Sequence, residues 1–166
     1  MGTRDVETNP QKGWNRFQVP FVVQPNAANV SACRLRNPST SGKIAIIEKV
    51  LIQDIVGGIQ KDIILGTSGV DLGNATDVIG SMDSPGGSII SAMTVSHQNN
   101  PAPPALANAG LLVRVNSGQA AGTVIPNYDL ILTDNSEFAL NPGSALQIIT
   151  LVANSLLNAF IWWRER

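Results

Sequence analysis

The sequence predicts an all-β domain, an antiparallel β-sandwich of jelly-roll type led by an extended N-terminal arm. Three observations predict it. Short runs rich in Val, Ile and Phe recur along the chain. Clusters of Gly, Pro, Asn and Ser separate them. Helix-capping patterns are few. The 166 residues are one domain's worth, and a chain of this size hides roughly 70% of its unfolded surface. The arm is expected over 1–16 and the sandwich over 17–166.

The arm, with its mixed charges, holds one large apolar residue, Trp14. The first β text follows: Phe17-Gln18-Val19, then Phe21-Val22-Val23, with Pro20 between them marking an edge or a bulge. Val30–Leu35 alternates. Arg36–Gly42 is nearly all turn residues, in which Asn caps, Pro fixes φ and Gly permits positive φ. Lys43–Ile52 reads as a long strand, closed by Gly57-Gly58, and Ile59–Leu65 as another. Gly66–Asp83 reads as loop, Ser84–Gly87 as a turn and Ser88–Val95 as a strand. Three prolines place His97–Ala109 in a second loop. Gly110–Val115 and Tyr128–Thr133 follow as strands around a loop at Ser117–Thr123. In the C-terminal third, Phe138–Leu140, Leu146–Val152 and Leu156–Trp163 read as strands about turns at Asn141–Ser144 and Asn154-Ser155. A helix over Ser144–Trp163 is the competing reading there, because Leu, Ala and Gln support one.

Charge excludes several classes of function. The net charge is −1 and the pI about 5.7, so nothing steers the chain to nucleic acid or anionic lipid. Charged residues make up 14%, where about 25% is ordinary. From Ser84 to Tyr128 the one charged side chain is Arg114. Such a surface is either covered by neighbours, as interface cores are, or kept wet by Ser, Thr, Asn and Gln. Cys33 has no partner cysteine and reads as a small buried hydrophobe. The N-terminus does not read as a signal peptide, and Ala145–Trp163 is interrupted by polar residues, so no membrane span is expected.

The inventory for catalysis is thin. His97 stands beside Pro-rich text with no nucleophile elbow, and one His with one Cys cannot build a zinc site. Asp71–Asp77 offers oxygen ligands at the wrong spacing for a calcium loop and reads as turn-closing Asx residues. The glycines at 66, 69 and 73 do not form a phosphate loop. No catalytic residue, cofactor or metal is therefore assigned. Trp162-Trp163 is the densest aromatic cluster. Neighbours on a strand face opposite ways, so one tryptophan enters the core and the other faces out, as an interface anchor or a sugar platform. The partner-binding candidates are Trp14, Phe17, Trp162 and Trp163.

Two passages carry a resemblance. Ser31–Glu48, SACRLRNPSTSGKIAIIE, resembles a strand–turn–strand text of small proteins encoded by tailed bacteriophages. Leu140–Leu146 with Phe160–Arg166 is similar to the other end of that family, where a Pro-Gly turn precedes a hairpin ending in an aromatic-Arg-Glu tail. The matches span roughly a quarter of the chain, and the middle departs from the pattern. The resemblance implies a jelly-roll virion protein, a capsid cement or decoration protein that clamps neighbouring copies of the major capsid protein. It carries over no catalytic residue. It also implies a homotrimer, for which Ser84–Tyr128 is the expected contact, and a place on the capsid surface after synthesis in the host cytoplasm. The alternative is a tail or fibre module that binds the host surface or another tail protein. An enzyme is the third class, disfavoured by the missing acid–base set. A short polar arm builds no core of its own, so the arm is expected to lie on a neighbouring subunit with Trp14 as anchor, or to fold back and close its own sandwich.

Overall fold

The computed structural model describes residues 14–24, 27–53, 60–75, 79, 82, 89–116, 128–131 and 138–166. Among them the strands are β1 (Asn15–Val23), β2 (Val30–Arg36), β3 (Ala45–Ile52), β4 (Gln60–Thr67), β5 (Asn74–Ala75), β6 (Thr94–Asn100), β7 (Ala107–Asn116), β8 (Tyr128–Ile131), β9 (Phe138–Leu140), β10 (Ser144–Thr150) and β11 (Leu157–Glu165), with no helix. The all-β expectation holds, and Ser144–Trp163 is two strands rather than a helix. The expected turn at Ser84–Gly87, the loop at Ser117–Thr123 and arm residues 1–13 lie outside the described residues.

Two antiparallel sheets face each other. The five-stranded sheet runs β1-β11-β3-β8, with β9 also paired to β3. The six-stranded sheet runs β5-β6-β2-β10-β4-β7. The first and last long strands, β1 and β11, pair over their whole length, from Asn15↔Glu165 to Val23↔Leu157. Alternation decides what enters the core. Phe17, Val19, Phe21 and Val23 of β1 meet Leu157, Ala159, Ile161 and Trp163 of β11, and Cys33, Leu35, Ile63, Leu146 and Ile148 come from the opposite sheet. Trp163 stacks on Phe17 with ring centroids 5.6 Å apart.

Pro20 sits on an edge strand, and the geometry shows why it is tolerated. The Arg16 carbonyl points away from β11 and accepts from Met82 N at 2.8 Å. Pro20 is four residues on and faces the same way, so its missing N–H removes nothing from the ladder.

Three expectations are corrected. First, the strand expected at Ser88–Val95 is β6, shifted to Thr94–Asn100, so His97 is a strand residue opposite Cys33 rather than a loop residue. The polar text HQNN extends because β2 supplies a full ladder partner, and Pro101 ends it. Second, β10 and β11 do not form the hairpin implied at the C-terminus. Both flanks of β10 are taken by β2 and β4, so the turn at 151–156 carries the chain across to the other sheet. Asn154 makes that turn at φ 58°, and Ser31 Oγ donates to the Ser155 carbonyl at 2.8 Å to pin it. Third, within Gly66–Asp83, Asn74-Ala75 forms a two-residue strand beside β6.

Candidate interaction surfaces

The outward side of the six-stranded sheet is covered by the chain itself. Arg34 alternates with the core residues Cys33 and Leu35, so it points outward, yet it is fully buried. Its Nε donates to Gln147 Oε1 at 2.9 Å, and its Nη1 donates to Ser68 Oγ and to the Val70 carbonyl, each at 2.9 Å. Nη2 reaches Gln147 Oε1 and the Pro104 carbonyl. Beside it, Arg36 forks onto Asp71 at 2.8 and 2.7 Å, and Thr94 Oγ1 donates to Asp71 at 2.7 Å. The Arg36 guanidinium holds the Asp71 carboxyl below its ordinary range. Leu72 N donates to Ser96 Oγ and Gly73 N to Gln98 Oε1. Segments 68–73 and 101–106 are thereby laced over the sheet. Sequence reading placed Asp71 in a turn-closing stretch and assigned no role to Arg34. A pair of arginines at i and i+2 in an otherwise apolar strand was the available signal.

The five-stranded sheet keeps an open outer face. The register sets out three rows across β1, β11 and β3: Gln18–Trp162–Lys49, Pro20–Phe160–Leu51, and Val22–Asn158 continued by Gln53. Phe160 and Trp162 have ring centroids 5.9 Å apart with 23° between planes. Lys49 Nζ lies 5.2 Å from the Trp162 centroid, and Asn158 Nδ2 donates to Gln53 Oε1 at 3.1 Å. At the end of β1, half-buried Trp14 has the Arg164 guanidinium 5.5 Å from its ring centroid, and Arg164 Nε is 2.6 Å from Glu48 Oε1.

These positions divide the four partner-binding candidates. Trp162 and Trp14 reach the surface, but Phe17 and Trp163 are 1% and 0% exposed and have no area to offer a partner. The alternation that sends Trp162 out sends Trp163 in, and Phe17 fills the space beside it. Trp163 Nε1 finds its acceptor inside, on Glu165 Oε1 at 2.7 Å. Glu165 Oε2 accepts from Ala92 N at 2.9 Å, which fastens the chain ahead of β6 to the end of β11.

Among the described residues, the turns at one end of the sandwich carry no charge. There the turn at 27–29 meets the turn at 151–154 through Asn154 N on the Asn29 carbonyl, 3.1 Å. β6 also ends there, at Asn100 opposite Val30, so Pro101 and Ala102 follow beside them. Ala27, Ala28, Ala102, Leu151 and Val152 are exposed on these turns, Val152 to 51%. On the edge strand β7, Leu111 is 56% exposed, and Arg114 is forked onto Asp62 at 2.6 and 2.7 Å.

Among the described residues, nothing on these surfaces assembles acid–base chemistry. Two open clefts, of about 320 and 360 Å³, are lined by Gly, Ala, Ser, Thr, Val, Leu and Asn alone. Burial pushes the Cys33 thiol far above its usual range, so it stays protonated and inert. No group of three or more His, Cys, Asp or Glu residues is placed to hold a metal among the described residues. No helix of the described residues is long and apolar enough to cross a membrane.

Neither a protein-family model nor a curated protein sequence matches the chain. Among solved structures it is similar to one described as the crystal structure of infectious bursal disease virus VP2 subviral particle, with 10% identity and a TM-score of 0.18. The alignment takes in 93% of this chain and 42% of that one, so the chain spans less than half the length of the viral protein. A likeness this slight bears on neither the fold nor the function.

Proposed function

We propose that the protein is a structural component of a virus particle, a decoration or cement protein that adheres across neighbouring capsid subunits. The observation that carries this reading is that the described turns at one end of the sandwich, 27–29, 101–102 and 151–154, carry no charge and expose Ala27, Ala28, Leu151 and Val152. A free surface normally carries Lys and Glu there, and charge depletion marks surfaces that meet neighbours. We further read the fold as a jelly roll. In support, the inner strand orders are β1-β11-β3-β8 and β2-β10-β4-β7, and the chain changes sheet at each step from β1 to β4. Jelly rolls serve capsids, lectins and cupins alike, so the fold alone does not choose among them.

In this reading the mechanism is adhesion, not catalysis. Each copy adds buried area across a joint between subunits, and repeated copies add avidity. Trp14 and the arm supply a clamp on the capsid side. The charge-poor β6–β7 region supplies a contact between copies, proposed as a trimer. A tail or fibre module is the second reading, favoured by the surface pair Phe160 and Trp162. Locating the chain in a density map of the intact particle tests both. Copies spread over the whole shell support decoration, and copies confined to the tail overturn it.

A further inference from the structure

We propose that the outer face of the five-stranded sheet is the seat on the capsid, with Phe160 and Trp162 at its centre and a flat protein surface of a capsid subunit as its occupant. This rests on the decoration reading and adds which way the protein faces. The six-stranded sheet is already covered from outside by segments 68–73 and 101–106. The five-stranded sheet presents Pro20 and Val22 exposed, with Phe160, Trp162 and Leu51 half-buried beside them. In β1, β11 and β3 the rows through Pro20 and Val22 hold no charge, and Arg16, Arg164, Glu48 and Lys49 stand toward the Trp14 end. Aromatic and arginine side chains are enriched where proteins meet. Several polar groups of the face are already occupied with one another: Asn158 Nδ2 on Gln53 Oε1, Lys49 over Trp162, Arg164 with Glu48. A partner therefore covers them at less cost than it would cover solvated ones. A host-recognition tip carries its contacts on loops. This aromatic pair stands mid-sheet on β11, between β1 and β3, and Trp14 at the root of the arm lies on the same face against Arg164.

Size argues for a protein occupant. β8 continues the face past β3, with Ile131 opposite Lys49 and Asp129 opposite Leu51. Strands about 4.8 Å apart and rows about 6.8 Å apart give four strands and four rows a footprint on the order of 500 Å². The uncharged turns at 27–29 and 151–154 adjoin it, since β1 leads toward one and the other leads into β11. With the sheets packed about 10 Å apart, that end adds about 200 Å². A stable interface takes about 800 Å² from each side, and incidental crystal contacts take less than about half of that. The end alone is therefore too small to hold a copy on a shell, whereas the end and the face together, at about 700 Å², come close to the working size.

The full-length protein is titrated onto particles that lack it, and bound copies are counted by co-sedimentation. The parent is expected to coat the shell saturably. Phe160→Ala, Trp162→Ala and Val22→Asp are each expected to weaken binding at least tenfold, as loss of a central anchor does. Val70→Asp, on a segment that covers the other sheet, is expected to bind like the parent. The melting transition of each variant is followed to show that the sandwich persists; Val22 is 54% exposed, so its change leaves the core intact. If the parent coats the shell and Phe160→Ala, Trp162→Ala and Val22→Asp coat it equally well, the proposal fails while the decoration reading stands. If binding falls with Val70→Asp and not with those three, the other sheet faces the capsid and the proposal fails. If the three variants lose self-association of the free chain but keep attachment, the face joins copies and the proposal fails. If the parent does not bind the shell at all, the decoration reading falls and this proposal falls with it.

Discussion

Arg34→Met should be among the most destabilising changes that leave the apolar core untouched. Methionine keeps the length of the side chain and removes the guanidinium. Four groups then lose a donor: Gln147 Oε1, Ser68 Oγ, the Val70 carbonyl and the Pro104 carbonyl. The exposed ends of the two segments admit water to Ser68 and Val70. Gln147, only 2% exposed, is not rescued in this way, whereas Pro104, like Val70, is an exposed residue. A buried acceptor left unsatisfied costs about 1–3 kcal/mol, and the bonds lost at the wetter groups add less. Burial of an arginine is itself unfavourable, and its removal returns part of that. The expected net loss is about 1–3 kcal/mol, a sizeable share of the 5–15 kcal/mol that typically holds a domain together.

Urea unfolding followed by fluorescence measures the loss, and limited proteolysis locates it. Cleavage within 68–73 and 101–106 should accelerate before the sandwich itself opens, because those segments are the ones Arg34 holds. Arg34→Lys should recover only part of the loss. One ammonium cannot span acceptors that the planar fork reaches together. A variant Arg34→Met within about 0.5 kcal/mol of the parent, with unchanged cleavage, would refute the reasoning.

Strand-level features were legible wherever one face of a strand is wet. In β1, Phe17, Val19, Phe21 and Val23 alternate with Gln18, Pro20 and Val22, so the period of two marked the strand, although Phe17 was read as a partner contact and lies in the core. The same rule put one of Trp162 and Trp163 inside and one outside without saying which, and the structure buries Trp163. Connections were less legible. The turn at Asn154-Ser155 is the same whether the chain doubles back or crosses to the opposite sheet, and the choice rests on β2 and β4 already flanking β10. That is long-range pairing, which no local pattern records. The polar lacing escaped for a related reason. Arg34, Arg36, Ser96 and Gln98 lie on the side of their strands that alternation assigns to solvent. Their burial comes from segments 68–73 and 101–106, whose Gly- and Pro-rich text announces a loop and not what the loop covers.

The chemistry of Asp71 makes stability sensitive to acid. Its carboxyl is held low by Arg36, so the pair's contribution is full above the unfolded value near 3.9 and fades as pH falls below it. The stability gap between the parent and Asp71→Asn, about 1–3 kcal/mol at pH 7 by urea unfolding, should narrow below about pH 4; a gap constant down to pH 3 contradicts this. Phe17→Ala should cost about 3–5 kcal/mol, because it empties the space against Trp163, and a smaller loss would mean that β1 collapses into the cavity. Gly66→Ala should cost about 1–3 kcal/mol, since an added Cβ would lie 2.8 Å from both the Ala107 carbonyl oxygen and Leu106 Cβ; thermal melting reads it. Trp14 separates a clamp from a lid. Its ring is half-buried and meets the Arg164 guanidinium at 5.5 Å, a contact worth about 0.5–1 kcal/mol where water still reaches it. Arg164 is also ion-paired with Glu48, so it is not left uncompensated when the ring goes. Trp14→Ala and deletion of residues 1–13 should therefore shift the unfolding of the isolated chain by no more than about 1 kcal/mol. Attachment to the particle should fall sharply in both, because an indole brings large apolar area to an interface. If attachment survives both changes while the isolated chain loses several degrees of thermal stability, Trp14 closes its own sandwich and the arm is no clamp.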